Sequence, residues 1–393
     1  MNILFSTTRH WNPGDELINR GIAQLLRLSG YRFNSIVWNR HPSIRPGHTS
    51  LDNSFDEFRH DPQSIDYVIF AGTPEWLGHR VDPLYELIQR NGIRCSLIGI
   101  GSHGEKFGLS STVKTVLQHQ ADLIICRDQS TCSRLTEKFS IPDVKLMPCP
   151  ALVHCVSPVR RQKLQKIAVI YQSTYTASQS VNAATRNFLI QLITELSRRI
   201  PVNVICHYID EALEASAIFG SDRVRFSSDS ADYENYFKEV DFVVGARVHG
   251  CLGAMSCGTP AMLLEWELDG RRKGVADEIP LLLMGKLESV PEMIQEILTL
   301  DVPQQSVRIT DWLISLRYEY QQLLQNRIAI EPRAETSPER VCEGARQVLR
   351  DNEMYHNRAY NRRSVQRLKD VFQDIKNGLT ARFRRLFPED PHE

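Results

Sequence analysis

Short apolar, β-branched runs alternate along this chain with longer segments of helical period, and that alternation restricts the fold more than any other feature. The runs fall at 2–6, 33–38, 67–71, 94–99, 123–126 and 144–147, and resume at 166–171, 202–207, 242–245 and 261–264. A parallel strand covered on both faces reads as a continuous apolar run, and reaching the next parallel strand requires a crossover, usually a helix. Segments 16–28, 185–199 and 233–239 supply helical periods between runs. The chain is therefore expected to be α/β, with mainly parallel sheets. Pro148, Pro150 and Pro158, followed by the basic stretch 160–166, interrupt the pattern and read as a linker. This divides an N-terminal α/β domain at 1–155 from a second at 165–300. Open parallel sheets bind ligands beyond the carboxyl ends of their strands, so chemistry is expected in the loops that follow strands.

Residues 301–393 read as helical. Val365, Leu368, Phe372, Ile375, Leu379, Phe383 and Leu386 lie at three- and four-residue steps, and residues 358–387 hold nine Arg/Lys against two Asp, a net of +7. Such a helix suits an anionic membrane surface or an acidic partner, or packs back on its own domain or on a second subunit. Charge elsewhere is balanced, with 47 Lys plus Arg and 47 Asp plus Glu, which gives no global field for nucleic acid. The opening run, 1–6, is too short for a signal peptide and reads as a first strand. No window reaches the roughly 18 apolar residues of a membrane span. The nine cysteines include no Cys-x-x-Cys and lie in apolar stretches, which fits a reducing, cytoplasmic setting. Cys126/Cys132, Cys149/Cys155 and Cys251/Cys257 share a six-residue step, but no neighbouring ligands complete a zinc set, and no metal or other cofactor is expected.

The most informative stretch is Val243-Val244-Gly245-Ala246-Arg247-Val248-His249-Gly250, followed by a small-residue segment to Gly258 and then Thr259-Pro260-Ala261. It reads strand, turn, helix, glycine stop, strand. A buried strand thus brings Arg247 and His249 to the start of a helix, where guanidinium, imidazole and unpaired N–H groups converge on one anion, phosphate or carboxylate. The competing reading is a short connection with an exposed arginine and a histidine near a helix start.

This stretch resembles the polysaccharide pyruvyltransferase family, in which a strand is followed by Arg-x-His-Gly, a small-residue helix and Gly-x-Pro. Arg247, His249, Gly250, Ala254, Gly258 and Pro260 match. So do Asn12-Pro13-Gly14-Asp15-Glu16 after the first strand, Gly99-Ile100-Gly101, Arg127-Asp128 and Lys273. The resemblance covers about residues 1–300. It implies two Rossmann-like domains as in GT-B glycosyltransferases, phosphoenolpyruvate as co-substrate, a sugar or glycan acceptor that is free or lipid-linked, and a pyruvyl ketal as product.

On that resemblance His249, Arg247 and Asp15 are the expected catalytic residues. The donor is expected on Arg247, Gly250, Arg127, His207 and Lys273, and the acceptor on Asn12, Gly14, Glu16, Glu75 and Trp76. An imidazole titrates near neutrality and suits proton transfer to the donor methylene, while a guanidinium suits the departing phosphate. Each residue also has a plainer reading. Asn-Pro-Gly-Asp is a turn with Asp15 near a helix cap, Arg127 beside Asp128 can form an exposed pair, His207 can be structural, and Arg271-Arg272-Lys273 can be a solvated turn. The chain departs from the family at Ala71-Gly72-Thr73-Pro74-Glu75-Trp76, where a glycine-rich turn is common, at Cys149-Pro150-Ala151 and at Trp266. Trp76 can stack on a sugar ring there and Glu75 act as an acid or base, or both can simply rigidify the loop through Pro74. Other functional classes are a glycosyltransferase using a nucleotide sugar, with Glu265 or Glu267 gripping the ribose, and a non-catalytic glycan-binding relative.

Overall fold

The computed structural model describes residues 1–7, 13–39, 65–72, 76–77, 81–102, 107–174, 181–265, 270–286, 289–328 and 330. The basic segment 358–387 lies outside the described residues. The first sheet comprises β1 (Asn2–Thr7), β2 (Asn34–Asn39), β3 (Tyr67–Ala71), β4 (Arg94–Ile100), β5 (Ala121–Cys126) and β6 (Val144–Leu146), in the order β2-β1-β3-β4-β5-β6. Its helices are α1 (Pro13–Leu28), α2 (Asp82–Asn91), α3 (Ser111–His119) and α4 (Gln129–Ser133). The second sheet comprises β7 (Ile167–Ile170), β8 (Val202–Ile205), β9 (Val224–Arg225), β10 (Phe242–Gly245), β11 (Ala261–Glu265) and β12 (Leu283–Lys286), in the order β12-β11-β10-β7-β8-β9. Between and after its strands run α5 (Ala183–Ser197), α6 (Ile209–Phe219), α7 (Ser230–Lys238), α8 (Val248–Ser256), α9 (Gly270–Asp277), α10 (Val290–Thr299) and α11 (Val302–Arg327).

Every pairing in both sheets is parallel. Counted from its own first strand, the second sheet has the Rossmann order, and its direction of winding reverses between β7 and β10. The first sheet reverses between β1 and β3. Loops leave in opposite directions at such a point and open a crevice beyond the strand ends.

Strand alternation accounts for two cores. Ala168 and Ile170 of β7 join a cluster that also holds Ile3 and Phe5 of β1, Leu17, Ile18 and Ile22 of α1, and Cys251 and Leu252 of α8. Ile167 and Val169 face the other way, onto Leu189 and Ile193 of α5 and Ile294 of α10. The first cluster therefore runs through both sheets, which belong to one compact unit.

The structure starts α1 at Pro13, three residues before the expected start at Glu16. Proline has no N–H to leave unpaired at a helix's first position, so the apparent turn Asn-Pro-Gly-Asp is continuous with the helix. The short strands β9 and β12 leave no apolar run in the sequence, since β9 is Val224-Arg225 and β12 ends in Gly285-Lys286. The stretch read as a linker is held tightly. Arg161 is buried and donates to the carbonyls of Phe237 and Lys238 and to Thr259 Oγ1, while its own N–H bonds Ser306 Oγ. Among the described residues no helix is long and apolar enough to cross a membrane.

Candidate active site

The turn from β10 into α8 brings Arg247 to the N-cap and His249 into the first turn. The Arg247 side chain does not cap the helix. It lies buried, its Nη2 ion-paired with Glu211 and its guanidinium 4.7 Å from the centre of the Tyr208 ring. Burial opposes the charge, but Glu211 and Tyr208 more than offset it and leave the pKa above the usual arginine value. Glu211 uses its other oxygen, Oε2, to accept from the backbone N–H of His207 and Tyr208 at 3.1 and 3.3 Å. One fully buried carboxylate thus caps α6 and holds Arg247.

Arg127 follows β5, where its N–H still bonds Ile100 in sheet register. Its side chain is buried, and Nη1 meets Nε2 of the half-buried His249 at 3.0 Å. A guanidinium only donates, so this imidazole nitrogen accepts. Gly14, in the first turn of α1, packs on the other side of the same ring: a Cβ there would lie 3.0 Å from His249 Cβ and 3.1 Å from Nδ1. The expected elements β1–α1, β5–α4 and β10–α8 therefore meet at His249.

His207, at the end of β8, is buried against α8. A Cβ on Gly250 would stand 3.2 Å from its Nε2, an atom that is buried and makes no hydrogen bond. Burial, then the nearby Arg247 and His249, push its pKa well below the ordinary value, so the ring is neutral. Asp15 is buried one residue beyond Gly14. Lys273 is exposed on α9, where a Cβ on the adjacent Gly274 would lie 3.2 Å from Asp128 Cβ.

Of the expected acceptor residues, Gly14 lies against His249, whereas Glu16 and Trp76 turn elsewhere. Glu16 turns to the start of α7 and hydrogen-bonds Ser230. Its pKa is raised by burial, with Asp229 adding to the rise and Ser230 opposing it. Trp76 corrects the expectation of a sugar-stacking surface: the ring is fully buried, its Nε1 donates to Gly101 O at 2.9 Å, and Phe107 packs edge-on at 5.8 Å. An apolar ring beside a strand end was worth more in the core than on a loop. Asn12 and Glu75 lie outside the described residues, as does Glu267, and Glu265 ends β11 exposed. Among the described residues no group of three His, Cys, Asp or Glu side chains is arranged to hold a metal ion.

Two contributors were not foreseen. Glu211 sits three residues after Tyr208 at a strand-to-helix junction, the spacing of a capping box, and that signal was available. In the sequence Asp128 stands out only as the neighbour of Arg127. It caps α4 through Oδ1, which accepts from Thr131 N at 2.8 Å.

Two all-parallel sheets joined at their carboxyl ends over a guanidinium–imidazole pair define a two-sheet α/β protein with a cationic centre in its seam. The sequence model of the family named Polysaccharide pyruvyl transferase matches residues 12–267, well over half of the 393 residues. The chain belongs to the polysaccharide pyruvyl transferase family. No curated protein matches it. Similar solved structures include the S. aureus MnaA–UDP complex, at 11% identity and TM-score 0.49 over 84% of this chain and 100% of that one. Others are the glycosyltransferase SnogD from Streptomyces nogalater, at 13%, 0.44, 84% and 100%, and Anabaena HepE with UDP and glucose, at 12%, 0.46, 83% and 100%. Likeness this distant leaves residue roles to be read from this chain alone.

Proposed function

We propose that the chain transfers the pyruvyl group of phosphoenolpyruvate to two hydroxyls of a sugar or glycan, giving a pyruvyl ketal and inorganic phosphate. Family membership supports the reaction class, and the contact of Arg127 with His249 Nε2 is the observation that carries the mechanism. In the first step a hydroxyl oxygen bonds to C2 while the methylene carbon gains a proton, which saturates the double bond. In the second, another hydroxyl displaces phosphate from C2, and its proton leaves with the phosphate. Proton flow is thus neutral overall, and one group that accepts from a hydroxyl and donates to carbon can serve the first step.

His249 is assigned that role, with the Arg127 guanidinium passing from Nε2 to the donor's phosphate when phosphoenolpyruvate binds, which frees the Nε2 lone pair to take the hydroxyl proton. Arg127, the first-turn amides of α8 and Lys273 are assigned to the donor's phosphate and carboxylate. Arg247, neutralised by Glu211, is assigned to holding the β10–α8 turn in place. Asp15 is assigned to the acceptor hydroxyls. The same reading puts the reaction in the cytoplasm, with segment 358–387 offered to an anionic membrane surface that carries a lipid-linked acceptor.

The test is the thermal midpoint of the purified protein with phosphoenolpyruvate, with UDP-sugars and with neither, for the wild type and for Arg127→Gln. A native-state ligand raises the midpoint by mass action. A rise with phosphoenolpyruvate that Arg127→Gln loses, and a sugar product heavier by pyruvate less water, are expected. A rise with UDP-sugars alone would replace pyruvyl transfer by glycosyl transfer.

A further inference from the structure

Half of the large apolar side chains that lie exposed among the described residues gather in one place. Val307, Ile314 and Tyr318 share one side of α11, and the last two are 60% and 63% exposed. The opposite side of the helix, with Ile309, Leu313, Leu316 and Tyr320, is in the core. The other two, Val156 and Val159, belong to the segment between the sheets, which runs along α11 in the reverse direction. The Val156 carbonyl accepts from Arg317 Nη1 at 3.2 Å, while Arg160 donates to Thr310 Oγ1 at 3.2 Å and to Asp311 Oδ1 at 2.6 Å. Val159 O and Thr310 Cγ2 would both touch a Cβ on Gly258, at 2.5 and 3.1 Å. Exposed apolar side chains scattered singly are ordinary, whereas a contiguous group marks a surface that meets another molecule.

The charges that border the patch say which molecule. Arg308 and Glu319 are both exposed and lie on one flank of α11, about three turns apart. Arg160 and Asp311, also on this side, pair with each other. These four charges cancel, which gives an anionic membrane no electrostatic hold on the face. They do complement a second copy. A two-fold axis crossing α11 between Leu313 and Ile314 lays the helix antiparallel on its own copy. It sets Ile314 beside the partner's Ile314 and Arg308 beside the partner's Glu319. On the other flank, where the segment runs back along the helix, Val156 meets the partner's Val159. Each unlike contact occurs twice, as a self-complementary surface requires. A parallel pairing would set Arg308 on Arg308 and Glu319 on Glu319, and like charges oppose it. We propose that the outward side of α11, with Val156 and Val159, is the contact between two copies of this chain, antiparallel about Ile314.

Sedimentation of the full chain from roughly 1 to 100 μM reads the association directly, since dimer content follows concentration by mass action. The wild type is expected to pass from one chain to two across that range. Ile314→Glu, at an exposed position, should weaken the dimer by about a hundredfold, because each copy then brings a carboxylate to the axis. Arg308→Glu and Glu319→Arg should each weaken it by about tenfold through like charges set face to face, and the double exchange should return it to within about threefold of the wild type. Misfolding cannot mimic that restoration, and circular dichroism checks each variant. A wild type that stays a single chain throughout overturns the proposal, and so does a dimer that Ile314→Glu leaves intact. A dimer that Ile314→Glu abolishes but the charge exchanges leave unchanged would overturn the antiparallel arrangement.

Discussion

Arg127 Nη1 and His249 Nε2 stand 3.0 Å apart and link the end of β5 to the first turn of α8. Because the guanidinium has no lone pair to offer, the ring proton of His249 belongs on Nδ1. Nitrogen-15 shifts of the imidazole at neutral pH should report an unprotonated Nε2. Arg127→Leu should lower kcat/KM by about a hundredfold, the scale of a lost donor at a charged transition state. A protonated Nε2 in the wild type would rule out its role as acceptor.

Glu211 and Arg247 predict strong coupling. Removing one member of a buried ion pair leaves the other uncompensated, at about 3–5 kcal/mol. Glu211→Gln retains a cap for His207 and Tyr208 but loses the charge. Urea unfolding should show Glu211→Gln and Arg247→Met each destabilising by several kcal/mol, and the double variant costing clearly less than the sum. Additive losses would mean that the pair does not act as a unit.

Gly14→Ala should separate activity from stability. Alanine favours the helix by roughly 0.5–1 kcal/mol, so the thermal midpoint should hold or rise. Its methyl group would press within 3.0 Å of His249 Cβ and displace the ring. Turnover should fall at least tenfold. Full activity in a stable Gly14→Ala protein would show that the ring position is not critical.

Acid should destabilise the fold through two buried histidines. His154 has its pKa lowered from 6.5 to about 4, chiefly by burial, and burial also pushes that of His207 well below its ordinary value. The unfolded chain binds these protons at a higher pH than the native one, so their stabilisation is complete above about pH 6.5 and shrinks as the pH falls. For His154 alone the loss by pH 4 is on the order of 3 kcal/mol. His154→Gln should flatten the dependence of unfolding free energy on pH between 6.5 and 4. An unchanged slope would mean that this ring is not held neutral.

Cys132 should be the most reactive thiol among the described cysteines. A hydrogen bond from Cys126 lowers its pKa to about 7 against opposing burial and nearby carboxylates, whereas burial raises that of Cys126. Its thiolate fraction therefore grows through pH 7–8, where brief iodoacetamide labelling and peptide mass spectrometry should find Cys132 modified ahead of Cys95, Cys149 and Cys251. Uniform labelling would count against the lowered pKa.

Much of this was legible beforehand. Apolar runs located ten of the twelve strands among the described residues, because burial on both faces leaves a continuous signature, and Arg247-x-His249 was recognisable because strand, turn and helix follow in strict succession. Side-chain destinations were not. Nothing local in Trp76 says that its N–H finds Gly101 O, or in Glu16 that it turns to Ser230, since both partners are distant in sequence. Arg161 reads as a surface residue until the carbonyls left open at the end of α7 are seen to need it.

The apolar cluster that threads α1, α8 and both sheets limits how this enzyme family member can breathe. Two lobes rocking on a bare tether would have to expose Leu17, Ile18, Cys251 and Leu252 on every turnover. Severing the chain within residues 156–166 should yield two insoluble fragments instead of two working halves, and heating the intact protein should melt both sheets in a single step.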